Sequence, residues 1–532
     1  MLCYNCVIVK NLDDEPAFAF LLCNLPNFCN TSLAKYAFGV ADCASGKVLY
    51  HHPQKECIMS KTASLPKYLR VLIIVGIVLG VIGLIIGALC IKVSTFRKDF
   101  YAEIPQTVEP LNETGLQPLR AVGRGIYDKH GNRVALNGIN FGNWFLQEGW
   151  MSVNSVGPLL DKKGNYVKIN EDGIVEEYEE TFHDEVMEMM YANPNLTAAQ
   201  VDELWEVYHD EFIKEIDFAE VKRMGLNTIR LPMSYRNFME GPDDQLVMRA
   251  DAFERLDWFL EMCKKYELYA IIDMHAVVGG QSGYEHSSTR DIEFWKNEVY
   301  QQEMCLMWKE IARHYVEDRP DLFETIAAYD LVNEPVDRNT PSTTRAQAKV
   351  MDKMYQAIRE VDTKHMISIE FCWFFNKFPN PERYGWENVL YQIHLYNWVH
   401  DFIPNDFFYW VQDLVHSFAP HKVPYLIGEF NLFADEKEWI KWLDGYDQRG
   451  WNWTIWNYKV ASVGWWDNSW GLYVYRMNLQ DEQLKVDLRT ATYDEIYNQW
   501  QKIGTDKGYY KLHDDGVMYK VLKYRLDRAQ GK

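Results

Sequence analysis

The sequence is short of positive charge: 55 Lys and Arg stand against 76 Asp and Glu, a formal net charge of −21. That argues against nucleic acid as the main partner, because neutralising phosphates takes clustered Lys and Arg. Cysteine is nearly missing from the long C-terminal part. Of the ten in the chain, only Cys263, Cys305 and Cys372 lie beyond Cys90. Three thiols so widely spaced make no disulfide framework, so this part must fold on its apolar core. The same part lacks a Gly-rich phosphate loop, a metal-ligand spacing and a nucleophilic serine elbow, and so implies no cofactor and no metal.

Unbroken hydrophobic runs are also absent, with one exception. Val71 to Ile91 reads VLIIVGIVLGVIGLIIGALCI without a polar residue. At ~1.5 Å per residue it spans roughly 30 Å, the thickness of a bilayer's hydrocarbon layer. A core helix of a soluble domain would keep one polar face, so the run predicts a membrane span, with the anchor at residues 69–92. Lys61, Lys67 and Arg70 precede it and Lys92, Arg97 and Lys98 follow it, so the positive-inside count is nearly tied. The sequons at Asn112 and Asn195 lie after the span and function only on a secretory lumenal side. The expectation is an uncleaved signal anchor with the N-terminus inside and the C-terminal domain extracellular or lumenal. Gly76, Gly80, Gly83 and Gly87 form two GxxxG patterns that would suit a homodimer seam, although glycine is common in membrane helices generally.

Residues 1–58 hold six cysteines, including Cys3-x-x-Cys6, in a spacing that fits no familiar zinc finger. Met59, followed by a short basic stretch and the span, would itself make a protein start. Residues 99–118 are polar and Pro-containing and read as a stalk. The remaining 119–532 read as one globular domain.

Within that domain eight short apolar runs recur: 134–141, 226–232, 268–275, 326–333, 366–371, 390–396, 424–430 and 452–457. Segments long enough for crossover helices separate them. One is Asp251–Tyr266, with apolar residues at helical spacing. Eight β/α units, with strands apolar enough to be buried on both faces, predict a (β/α)8 barrel, an α/β fold. The stretch 154–197 departs from the pattern as an insertion. Its acidic run from Glu171 to Glu188 has the ordinary reading of a solvated face, with a lid beside the barrel mouth as the alternative.

Polar residues end these runs, and in a barrel those ends converge on one mouth. Arg230 ends the second run, His275 the third, and Asn333-Glu334-Pro335 the fourth. His394 and Tyr396 end the sixth, Glu429 the seventh, and Trp456 sits at the eighth. Any one alone would be an ordinary structural polar group; six in register point to a site. Cleaving a glycosidic bond takes one carboxyl to protonate the leaving oxygen and another to attack or to activate water. Glu334 and Glu429 would face each other across the mouth. Asn333 would reach a sugar 2-hydroxyl, and Arg230 and Tyr396 would keep a nucleophilic carboxylate ionised. The acid needs a raised pKa, which a charged neighbour and burial supply.

At these residues the domain, from about 120 to 504, resembles glycoside hydrolase family 5, the cellulase family. The resemblance implies Glu334 as acid/base and Glu429 as nucleophile of a retaining mechanism. It also matches Arg230, His275, Asn333, His394, Tyr396 and Trp456 to further site positions. Asn137–Trp144 with Glu148-Gly149-Trp150, Gly225–Phe238 and His275–Ser288 are similar to motifs of the exo-β-1,3-glucanase-like branch, in which Glu148 would bind the terminal sugar. The implied partner is a β-glucan or another β-linked glycan. A mannan- or glycosylceramide-cleaving specificity, or a catalytically silent glycan-binding protein, are the alternatives. The aromatic content of 15% suits sugar platforms, with Trp144, Trp150, Trp373, Trp398, Trp456 and Trp466 as candidates, but equally a large aromatic core. The insertion and residues 460–488, with Trp465, Trp466 and Trp470, depart from that branch.

Overall fold

In a computed structural model, residues 67–104, 115–153, 181–337, 343–462, 470–476, 486–506 and 508–532 are described. The Cys-rich segment, half of the stalk (105–114), residues 154–180 and Trp465 and Trp466 lie outside them. The chain divides into two units, Met1–Ile85 and Ile86–Lys532.

In the first unit the helix α1 (Lys67–Asp99) begins. It is the one helix among the described residues long and apolar enough to cross a membrane.

The second unit is built on a closed eight-stranded parallel barrel. Its strands are β1 (Asn137–Asn140), β2 (Thr228–Ser234), β3 (Tyr269–Ala276), β4 (Ile326–Asp330), β5 (Met366–Glu370), β6 (Val389–Tyr396), β7 (Tyr425–Asn431) and β8 (Asn452–Ile455). Each falls inside or overlaps one of the eight apolar runs, and β8 pairs with β1 to close the ring. The outer helices are α2 (His183–Tyr191), α3 (Ala198–Phe212), α4 (Glu215–Arg223), α5 (Glu254–Lys265), α6 (Glu298–Arg313), α7 (Arg345–Arg359), α8 (Asn405–His416), α9 (Glu436–Arg449), α10 (Tyr493–Trp500) and α11 (Val517–Ala529). Their apolar faces bury against the strands; α5 does so through Leu256, Phe259, Leu260 and Cys263. Several begin with a reciprocal cap. At α7 the Thr344 hydroxyl accepts from the Gln347 amide while Gln347 Oε1 accepts from the Thr344 amide.

Three local features differ from the sequence pattern. Between β5 and β6 no α-helix forms; two single turns of 3-10 helix, Phe375–Lys377 and Pro381–Arg383, take its place. Pro379 and Pro381 cannot sit in the interior of an α-helix, although Pro381 is tolerated at the first position of its 3-10 turn. The second half of the expected insertion is not merely a solvated acidic face. It forms α2, which buries Val186 and Met190, while Asp184 pairs with Arg236 and Glu185 with Arg290. The start of the expected stalk is packed on the barrel. Tyr101 and Ile104 are buried, and Asp413 on α8 accepts from Arg97 Nε (2.6 Å), the Tyr101 hydroxyl (2.9 Å) and Arg449 Nη2 on α9 (2.7 Å).

A three-stranded antiparallel sheet (Arg120–Val122, Gly125–Tyr127, Arg133–Val134) precedes β1. Its Ile126 and Val134 pack with Tyr269, Ala327, Met366, Leu390 and Leu426, all at the first turns of barrel strands. The sheet therefore plugs the N-terminal end of the barrel and leaves the C-terminal end as the mouth. The barrel interior toward that mouth is polar: Asn140, Arg230, Asp273, Asp330, Ser368, Glu370, Gln392, His394 and Thr454 are all fully buried.

Candidate active site

Arg230 organises this polar interior. It lies on β2 directly across from Asn140 on β1, whose Oδ1 accepts from its Nη1 (3.2 Å). Asp273 and Asp330 are opposite one another on β3 and β4 and bracket the guanidinium at 3.0 and 2.9 Å. Its remaining hydrogen bonds run to Asn333 Oδ1 (2.9 Å) and Glu429 Oε1 (2.9 Å). Burying a guanidinium is costly unless its donors are paired, and here three carboxylates and two amide oxygens pair them.

Glu429 reaches the mouth through a bulge. Across β6 and β7, Ile393 faces Ile427, but the next pair is His394 and Glu429, so Gly428 is the extra residue. The Gly428 carbonyl accepts from Asn140 Nδ2 (3.0 Å) and the Thr454 hydroxyl (2.6 Å). A Cβ at Gly428 would stand 2.5 Å from the Gln392 side chain. Glu429 Oε1 takes the Arg230 bond and Oε2 accepts from the Tyr396 hydroxyl (3.0 Å). Burial lifts Glu429 to about 7, against the opposing pull of Arg230 and His275. Burial and the Glu429 charge keep the Tyr396 phenol protonated, as a donor.

Glu334 follows β4 and has φ +39°, a left-handed backbone that a non-glycine residue adopts at a cost of about 1–3 kcal/mol. Its amide donates to Glu370 Oε2 (2.9 Å), and its Oε1 lies 2.9 Å from His394 Nδ1. Burial, and next the Glu429 charge, raise the Glu334 carboxyl well above the usual range. Burial and the charges of Arg230 and His275 hold His394 neutral. Glu429 has the direct guanidinium contact and Glu334 does not, so the proton in the mouth resides on Glu334. Oxygens of Glu334 and Glu429 and a nitrogen of His394 lie within 4.8 Å of one another. A cation bound there would compete with Arg230 for Glu429, so the donor set does not favour a metal.

His275 ends β3 with Nδ1 2.6 Å from Asp273 and Nε2 3.8 Å from Glu148. Burial lowers its pKa, but the two carboxylates outweigh that and push it up to about 10, so the ring is a buried cation. Trp456 stacks on it in parallel, centroids 5.5 Å apart. Trp456 belongs to an aromatic wall with Trp470 and the partly buried Trp150 and Tyr396. Trp150 Nε1 donates to Glu148 Oε2 (2.8 Å), which ties the wall to the carboxylates. Trp398, partly exposed, stacks on Tyr396 (5.1 Å) and extends the wall outward. Asn333 Nδ2, also buried, has no hydrogen-bond partner among the described residues.

All nine residues singled out in the sequence thus meet at one mouth. Among the candidate platforms, Trp144 does not. It is fully buried, donates to the His209 carbonyl (2.9 Å) and stacks on Phe145 in the core. The sequence reading missed Asn140, Asp273, Asp330, Glu370 and Gln392. Each is a polar residue inside or at the end of an apolar run, and that was the available signal.

The model of the family described as Cellulase (glycosyl hydrolase family 5) matches residues 187–462. A protein named β-xylosidase from Phanerodontia chrysosporium is 30% identical over 350 residues, covering 65% of this chain and 62% of that protein. A glucan 1,3-β-glucosidase from Kluyveromyces lactis is 26% identical over 205 residues, covering 38% of this chain and 42% of that protein. The chain thus spans less than two thirds of the length of these relatives. Among solved structures, the rutinosidase from Aspergillus niger is 17% identical with a TM-score of 0.46, covering 61% of this chain and 90% of that one. With its closed parallel barrel and the extent of the family match, the chain belongs to the cellulase family, glycosyl hydrolase family 5.

Proposed function

We propose that this chain is a retaining β-glycoside hydrolase that cleaves β-glucosidic bonds in glucans or short β-glucosides. Glu334 is its general acid/base and Glu429 its nucleophile. The observation that carries this reading is the pair itself: two carboxyl groups whose oxygens approach within 4.8 Å, in unlike surroundings. Retaining enzymes place the two groups ~5–5.5 Å apart, whereas inverting ones leave room for a water between them.

In the first step Glu334 gives its proton to the glycosidic oxygen while Glu429 attacks the anomeric carbon from the other face. The aglycone leaves as an alcohol, and a glycosyl ester forms on Glu429. In the second step Glu334, now a carboxylate, takes a proton from water, whose oxygen displaces Glu429. Asn333 Nδ2, without a hydrogen-bond partner among the described residues, would donate to the sugar 2-hydroxyl, a contact that strengthens in the transition state. Glu148 and the His275 cation would take further hydroxyls, with Trp456 as the platform. The relative named β-xylosidase makes xylosides the first alternative substrate to assay.

The apolar helix would anchor the protein by a single pass, with the barrel outside or in a secretory lumen. In support, Asn195 of the second sequon is exposed just before α3, although its Nδ2 donates to the Thr490 carbonyl (2.6 Å) and would have to keep or release that bond on carrying a glycan. A shift in mobility on glycosidase treatment of the protein from a secretory host would test this; no shift, together with protection of the C-terminus in sealed cells, would reject it.

The decisive experiment for the chemistry is Glu429→Ala. Turnover of aryl β-glycosides should vanish, and azide should restore part of it while yielding the α-glycosyl azide. Undiminished hydrolysis by the variant would reject the assignment.

A further inference from the structure

Glu370, at the end of β5, is fully buried beneath the mouth and has no part in the chemistry described so far. Its Oε2 accepts from the Glu334 amide (2.9 Å) and from Gln392 Nε2 (3.0 Å), and it lies 3.5 Å from His394 Nε2. The other side of the same imidazole, Nδ1, lies 2.9 Å from Glu334 Oε1. Glu370 therefore grips Glu334 twice, by the backbone directly and by the side chain through His394.

Both grips bear on how Glu334 presents its proton. The left-handed φ of +39° at Glu334 needs something to hold it, and the Glu370 oxygen on its amide is that hold. A neutral imidazole carries one N–H, so it donates to one carboxyl and accepts from the other. When Nε2–H faces Glu370, Nδ1 is an acceptor and Glu334 must supply the hydrogen, which is its acid form. Register supports the arrangement, because Glu370 and Gln392 are directly opposite one another on β5 and β6 and Gln392 is two residues before His394. Among the described residues Glu370 Oε1 has no hydrogen-bond partner, which leaves Oε2 to serve all three neighbours.

We propose that Glu370 is a positioning residue for acid catalysis, holding both the backbone and the side chain of Glu334 in the proton-donating arrangement. The proposal rests on Glu334 being the acid of a glycosidase. Its test uses two aryl β-glucosides, one with the 2,4-dinitrophenyl leaving group, which departs without protonation, and one with phenol, which does not.

Glu370→Asp withdraws the oxygen from the Glu334 amide by about one bond while keeping a carboxyl in place. It should lower kcat/KM for the phenyl glucoside 10- to 100-fold and for the dinitrophenyl glucoside less than threefold. Glu370→Gln, which keeps an acceptor oxygen at full reach, should recover most of the loss. Equal losses on both substrates, or a Gln variant as impaired as Asp, would overturn the proposal. Wild-type protein that releases neither phenol would instead refute the glycosidase reading on which it stands.

Discussion

His394 and Glu429 are direct partners across β6 and β7 only because Gly428 is squeezed out of the ladder between them. Without that extra residue the strand would turn Glu429 to the opposite face, since side chains alternate along a strand. The bulge is held by two hydrogen bonds to its carbonyl and has no room for a side chain.

Gly428→Ala tests this directly. The added methyl meets Gln392 at 2.5 Å, and Gln392 in turn holds Glu370. Overpacking of this kind costs about 1–3 kcal/mol. The variant should denature at lower urea concentration than wild type and lose activity beyond what the lost stability explains. A variant with unchanged midpoint and kcat would show that the bulge tolerates a side chain.

The pH dependence should be bell-shaped. On the proposed mechanism, activity needs Glu429 ionised and Glu334 protonated. Glu429 is raised to about 7 and Glu334 further, so kcat/KM should rise through roughly neutral pH and fall again at higher pH. The two limbs belong to the pair, because each carboxyl feels the charge of the other. Glu334→Gln, assayed on a dinitrophenyl glucoside, should show no alkaline limb and keep the acid limb near its wild-type position, since Glu334 is already uncharged where Glu429 titrates. A profile flat from pH 5 to 9 would contradict the assignment.

Asp413 should matter for folding rather than catalysis. It is fully buried and joins Arg97, Tyr101 and Arg449. Removing one partner of a buried ion pair costs about 3–5 kcal/mol, so Asp413→Ala should lower the denaturation midpoint sharply. Burial raises the Asp413 pKa, but Arg449 and Arg97 more than offset it and hold the carboxyl below its usual value. Its stabilisation is therefore complete above the unfolded carboxyl's pKa of ~3.9 and is lost as pH falls through the lower folded value. A soluble fragment starting at Ile86 should melt higher than one starting at residue 105, which lacks Arg97 and Tyr101. Equal melting of the two would show the contact to be incidental.

Much of the barrel was legible because parallel strands buried on both faces must be continuously apolar, and eight such runs stand out. The mouth was legible because polar residues at strand ends are the exception in those runs. Glu370 and Asp330 were not, since each sits inside an apolar run with nothing to distinguish it from a chance polar residue until Arg230, Glu334 and His394 surround it. The length of the segment between β5 and β6 admits a helix, and Pro379 and Pro381 are the contrary sign in the sequence. Trp144 is a candidate platform in the sequence and core in the fold, because a tryptophan near a strand end looks the same in sequence whether it faces a ligand or α3.

A single guanidinium, that of Arg230, sits at the crossing point of folding and chemistry. It neutralises Asp273 and Asp330, which never meet a sugar, and with another nitrogen it steers Glu429, which would. An uncharged replacement such as Arg230→Met would leave a stack of mutually repelling anions in a dry tunnel. Such a variant should be recovered misfolded, or with those acids protonated, before any question of rate arises. The barrel cannot relax its grip on that cation to tune specificity, so adaptation to new glycans has to proceed around the rim.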